Sequence, residues 1–168
     1  MPTDDCSACI VDENLETLKL YYFLPNIRDK QGEIVHLMDK NEQKKMAKKF
    51  NLPLLQSCLI CANNGEIDIP EDIQYPCFIK PNISMASTKA KMAKCSSEKE
   101  LLRILRRYAQ VENFEMLAED FVEIKNEYAI LGISMQEIVL VPGIFKTNES
   151  GHKERKGVAL TGEIVSTE

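Results

Sequence analysis

Apolar residues recur along this chain in two alternating rhythms, one helical and one extended. Leu15, Leu18 and Tyr22 fall on one face of a short predicted helix that Pro25 stops. The acidic first dozen residues read as an irregular start, and residues 26–32 as a polar loop. The branched run Ile34-Val35-His36-Leu37-Met38 predicts a short strand. Asp39 is placed to cap a helix running to Phe50, with Met46, Ala47 and Phe50 expected on its inner face. Asn51-Leu52-Pro53 ends it, because a residue before proline disfavours the helical region.

Beyond Pro53 the extended rhythm dominates. Residues 54–61 predict a strand, Asn63-Asn64-Gly65 a turn, and residues 75–80 a strand ending in Lys80. Residues 89–95 are expected to pair back against that strand. Ser97-Glu98-Lys99-Glu100 has the form of a capping box, followed by a helix that buries Leu101, Ile104, Leu105 and Tyr108 and turns Arg103, Arg106 and Arg107 outward. Residues 114–121, 127–135, 137–145 and 158–165 predict further strands, with a charged turn at residues 151–157. The pattern defines an α+β chain with a mainly antiparallel sheet and packed helices.

The 168 residues suffice for one ordinary domain or two small ones, and 44% apolar with 28% charged residues excludes a wholly disordered chain. Apolar stretches such as residues 138–141 fall far short of the roughly 18 residues a membrane span needs. Asp4 and Asp5 stand where a secretory signal would carry basic residues. A net charge of −5 argues against general nucleic-acid binding. The expectation is a cytoplasmic protein without membrane or nucleic-acid partners.

Two C-x-x-C pairs, Cys6/Cys9 and Cys58/Cys61, are nominal zinc half-sites. The second lies in an extended segment, where positions three apart face opposite ways, so the reading favours buried reduced thiols over a metal. Charge is segregated. Residues 80–107 hold eight basic side chains against two acidic, whereas residues 112–128 hold six acidic against one basic. Either the two segments hold opposite ends of a phosphate-bearing ligand or both are solvated faces.

The order of segments decides between these. A helix opened by Asp39-Lys40 and ended by Asn51-Leu52-Pro53 precedes the strand Tyr75-Pro76-Cys77-Phe78-Ile79-Lys80-Pro81. A loop of small residues, a returning strand and the Ser97 helix follow, then Met116-Leu117-Ala118-Glu119-Asp120-Phe121-Val122 and Asn126-Glu127-Tyr128-Ala129-Ile130-Leu131. Over residues 39–135 this order resembles the ATP-grasp superfamily, specifically its carboxylate–amine ligases.

The resemblance implies an ATP-grasp-like N-terminal lobe. Lys80, and Lys40 as a second lysine, would contact phosphates, for which compact cations at a cleft are suited. Glu119, Asp120 and Val122 would form the adenine-holding hinge, with Phe121 walling that site or packing in the core. Glu127 would accept hydrogen bonds from ribose hydroxyls. Ser84 and Ser87 would donate to phosphate from a loop that lacks the glycines common in the family.

The resemblance further implies ATP with Mg²⁺ as cofactors, small-molecule carboxylate and amine substrates, and an acyl-phosphate route. The family's magnesium ligands lie on strands beyond residue 168. Residues 1–38 are therefore expected to be the remnant of a preceding α/β domain and residues 39–168 a partial, truncated ATP-grasp domain prone to self-association. The competing readings are a non-catalytic nucleotide-binding or interaction module of the same fold, and a small zinc domain.

Overall fold

A computed structural model describes residues 4–83, 92–135, 138–150 and 159–165. The chain divides into two units, Met1–Phe121 and Val122–Glu168.

Residues 5–13, expected to be irregular, are helical. In α1 (Asp5–Glu13) the Asp4 carboxylate accepts from the Ser7 amide at 2.8 Å and the Ser7 hydroxyl accepts from the Asp4 amide at 3.3 Å, a reciprocal cap. A single turn, α2 (Leu15–Leu18), follows and buries Leu15, while Tyr22 stays exposed. The predicted strand at residues 34–38 is instead α3 (Glu33–Leu37). Gly32, at φ 86°, turns the chain into it, and the buried Asp12 carboxylate accepts from the Val35 amide at 3.0 Å. This tertiary cap outweighs the weak strand preference of two branched residues.

Helix α4 (Lys40–Lys49) starts as expected: Asp39 accepts from the Asn41 and Glu42 amides. Its inner face differs from the prediction. Met46 and Phe50 are 42% and 70% exposed, and the side chain brought inward is that of Lys44.

Strands β1 (Ser57–Asn63), β2 (Glu66–Asp68), β3 (Cys77–Pro81), β4 (Ala93–Cys95) and β5 (Phe114–Asp120) form one antiparallel sheet in the order β2-β1-β5-β3-β4. Asn64 and Gly65, at φ 54° and 85°, supply the left-handed pair that a tight β1–β2 hairpin requires. Helix α5 (Glu98–Ala109) is capped by the Ser97 hydroxyl, while Glu100 accepts from the amide of Ser96, one residue before the position a standard box uses.

Alternation along the strands gives the sheet two different faces. Ile60, Cys77, Ile79, Cys95, Met116 and Ala118 meet Leu101 and Leu105 of α5 in the core. The opposite side chains include Lys80 and Glu119, brought onto one face by the pairing of β3 with β5, in which Lys80 lies opposite Leu117 and Phe78 opposite Glu119.

The second unit is an antiparallel meander of β6 (Glu127–Met135), β7 (Ile138–Ser150) and β8 (Ala159–Val165), in the order β6-β7-β8. Many of its apolar side chains remain exposed, among them Ile130 (67%) and Val139 (70%). The Phe145 ring lies over Gly162, so close that a Cβ there would collide with it. Among the described residues, no helix is long and apolar enough to cross a membrane.

Candidate nucleotide site

Two lysines from separate elements converge on Glu119. Lys80, near the end of β3, places Nζ 2.5 Å from Glu119 Oε2, and Lys44, one turn into α4, places Nζ 2.6 Å from Oε1. The carboxylate is 8% exposed and the lysines 26% and 16%. Burial by itself would raise the Glu119 carboxyl, but the two lysine hydrogen bonds and charges outweigh it and hold the group below its ordinary range. Two cations share this one carboxylate in a partly desolvated place, and the adjoining cavity adds Lys45, Lys48, Asp72 and Asp120 to its lining.

Lys40, the second lysine singled out by sequence, has a different setting. Its Nζ donates to the main-chain oxygens of Pro81 at 2.9 Å and Asn82 at 3.1 Å. Burial, then the neighbouring Lys80 charge, lower its proton affinity, partly offset by Glu119 and Asp39. It clamps the start of α4 to the end of β3. Lys44 was not singled out in sequence because helix faces are assigned by apolar residues, and this face is polar. The usable signal was its four-residue spacing from Lys40.

A junction around Asn82 fixes both lysine-bearing elements. The side chain is buried, with Nδ2 donating to Asp39 Oδ2 at 2.9 Å and Glu115 Oε2 at 3.0 Å and Oδ1 accepting from the Asn41 amide at 3.2 Å. Its own amide donates to the Glu115 carbonyl, and its carbonyl accepts from the Lys40 amide. All three side-chain bonds and both main-chain groups are used, so the register between α4 and β3 is fixed.

Lys44 and Glu119 line a cavity of about 340 Å³ together with Lys48, Gln56, Cys58 and Asp120. The Asp120 amide donates to the Gln56 carbonyl and the Phe121 amide to that of Pro76. Cys58 Sγ donates to Asp72 Oδ1 at 3.3 Å, and burial followed by that hydrogen bond pushes its thiol up to about 11. Cys61 lines a different cavity, of about 430 Å³, as an extended strand requires of positions three apart. Among the described residues no group of three or more His, Cys, Asp or Glu side chains gathers to hold a metal.

Of the remaining predicted site residues, Phe121 carries the Lys94 ammonium 3.9 Å above its ring centre. Val122 and Glu127 belong to the second unit. Val122 is 47% exposed, and Glu127 opens β6 opposite Thr147. Ser84 and Ser87 lie outside the described residues.

The described residues form an α+β arrangement, a mainly antiparallel sheet with helices, and its fold is similar to part of a solved ligase structure. A crystal structure of D-alanine-D-alanine ligase from Helicobacter pylori is similar over 79% of this chain and 40% of that one, with a TM-score of 0.53 and 20% sequence identity. The likeness is one of fold, and the chain spans less than half the length of that ligase. No protein-family model and no curated protein sequence matches.

Proposed function

We propose that this chain carries the nucleotide-binding part of an ATP-dependent carboxylate–amine or carboxylate–thiol ligase. The observation that carries the reading is the convergence of Lys44 and Lys80 on Glu119 beside a cavity. In this reading the two ammonium groups take phosphate oxygens, and Glu119 keeps both side chains extended and desolvated before the nucleotide arrives. That preorganisation lowers the cost of ordering them on binding. Lys40 holds the main chain beneath them. Glu119, Asp120 and Phe121 provide the adenine hinge.

The reaction in this class forms a bond from a substrate carboxylate oxygen to the γ-phosphorus and breaks the bond from that phosphorus to the β,γ-bridging oxygen, releasing ADP. The amine or thiol then attacks the acyl carbon and displaces phosphate. The chain's contribution is positioning and charge neutralisation. Magnesium supplies further neutralisation of β- and γ-phosphates when bound. The described residues offer no cluster of acidic ligands for it.

Calorimetric titration with ATP, ADP and AMP tests the reading. Affinity is expected to rise with phosphate count, because the carrying feature is cationic. Equal binding of AMP and ATP would contradict it.

A further inference from the structure

Cys77 and Cys95 are direct cross-strand partners at one end of the β3–β4 pairing. Partners in an antiparallel pair project to the same face, and both side chains belong to the core cluster, 1% and 0% exposed. Antiparallel partners stand roughly 4.5–5.5 Å apart at Cα, inside the window of about 4.4–6.8 Å that a disulfide spans. Each thiol shifts the proton affinity of the other. The other close pairs are worse placed. Cys58 and Cys61 line different cavities, and the Cys9 thiol is turned to Met38 Sδ, 3.3 Å away.

We propose that Cys77 and Cys95 are a dithiol–disulfide couple, an oxidative modification site that closes the base of the β3–β4 hairpin in response to small-molecule disulfides. One protein thiolate attacks a sulfur of the small disulfide and expels one small thiolate. The second protein thiolate then attacks the resulting mixed disulfide and expels the other. The two cysteine sulfurs lose two electrons, the small disulfide gains them, and the two protons go to the released thiols.

The surroundings set the rate. Burial pushes both thiols up, Cys95 to about 12, so the closed sheet holds them unreactive. Strand β4, however, is an edge strand of three residues, short enough to peel locally from the sheet. Reaction therefore proceeds through local opening, and the bond, once formed, suppresses that opening. Lys80 lies on the same strand as Cys77, so the couple tethers the strand that carries a proposed phosphate-binding lysine. The couple itself does not depend on that reading.

The test uses the full chain, incubated with oxidised glutathione at pH 8, then alkylated under denaturing conditions and mapped by mass spectrometry. The expected product has lost about 2 Da, with Cys77 and Cys95 joined and protected from alkylation. Hydrogen exchange at residues 93–95 is expected to slow by about tenfold or more in that product. The proposal is overturned if the internal disulfide joins Cys6 to Cys9 or Cys58 to Cys61. It is equally overturned if only glutathione adducts form and Cys77 and Cys95 remain alkylatable. The mapping requires no variant, so a poorly folding cysteine substitution does not enter the result.

Discussion

Lys44 and Lys80, 36 positions apart in the chain, each hold one oxygen of the Glu119 carboxylate, at 2.6 and 2.5 Å. A strand-end lysine and a lysine one turn into a helix are thereby fixed by a single buried acid.

Replacing that acid tests its structural share. Glu119→Gln leaves two partly buried ammonium groups without their counter-charge, and is expected to lower stability by about 1.5–3 kcal/mol. Urea unfolding of both proteins at neutral pH reads the difference as a shift in midpoint with unchanged slope.

The same pair gives a pH dependence of defined sign. Glu119 is held below its ordinary proton affinity in the folded chain, so its stabilisation is full above the ordinary carboxylate range and lost as pH falls through the lowered folded value. The stability gap between wild type and Glu119→Gln should therefore be constant near neutrality and narrow in acid. A gap that widens on acidification would contradict the assignment.

The Asn82 junction makes a separate prediction. Asn82→Leu removes three side-chain hydrogen bonds and leaves the Asp39 and Glu115 oxygens short of a donor in a partly buried place, at a cost of about 1–3 kcal/mol. Amide exchange at the start of α4 should accelerate more than that in α5, which does not touch the junction. Uniform acceleration would contradict a local role.

In the second unit, Gly162→Ala places a methyl group against the Phe145 ring and the Lys146 carbonyl. Relief requires the ring or the strand to move, at about 1–3 kcal/mol. Exchange protection in β7 and β8 should fall while that in β1 and β5 is unchanged.

Much of the fold was legible because alternation is a strong signal. Strand β6 has the predicted bounds, and β1, β3, β5, β7 and β8 begin within three residues of theirs. Helix α5 was legible from its cap and from Leu101 and Leu105. The losses share a cause, which is structure set by polar contacts. Helix α1 depends on a reciprocal Asp4–Ser7 cap inside an acidic run, and α3 on a carboxylate 23 residues upstream. The inner face of α4 is occupied by a lysine, so Lys44 stayed hidden behind an expected apolar stripe. In the site, the side-by-side placement of Lys80 and Glu119 was implicit in two correctly read strands. Their register, which makes them neighbours, depends on sheet order and is not written in either segment.

The most direct test of the central claim is ATP affinity in three single variants, Lys44→Ala, Lys80→Ala and Lys49→Ala, measured by calorimetry at low salt. Lys49 is exposed in the last turn of α4, away from Glu119, and serves as the charge-matched control. Lys94 does not serve, since its ammonium sits over Phe121. The account predicts that Lys44→Ala and Lys80→Ala each lose roughly tenfold or more in affinity, from one charge-assisted contact, while Lys49→Ala stays close to wild type. Equal affinities in all three would contradict it.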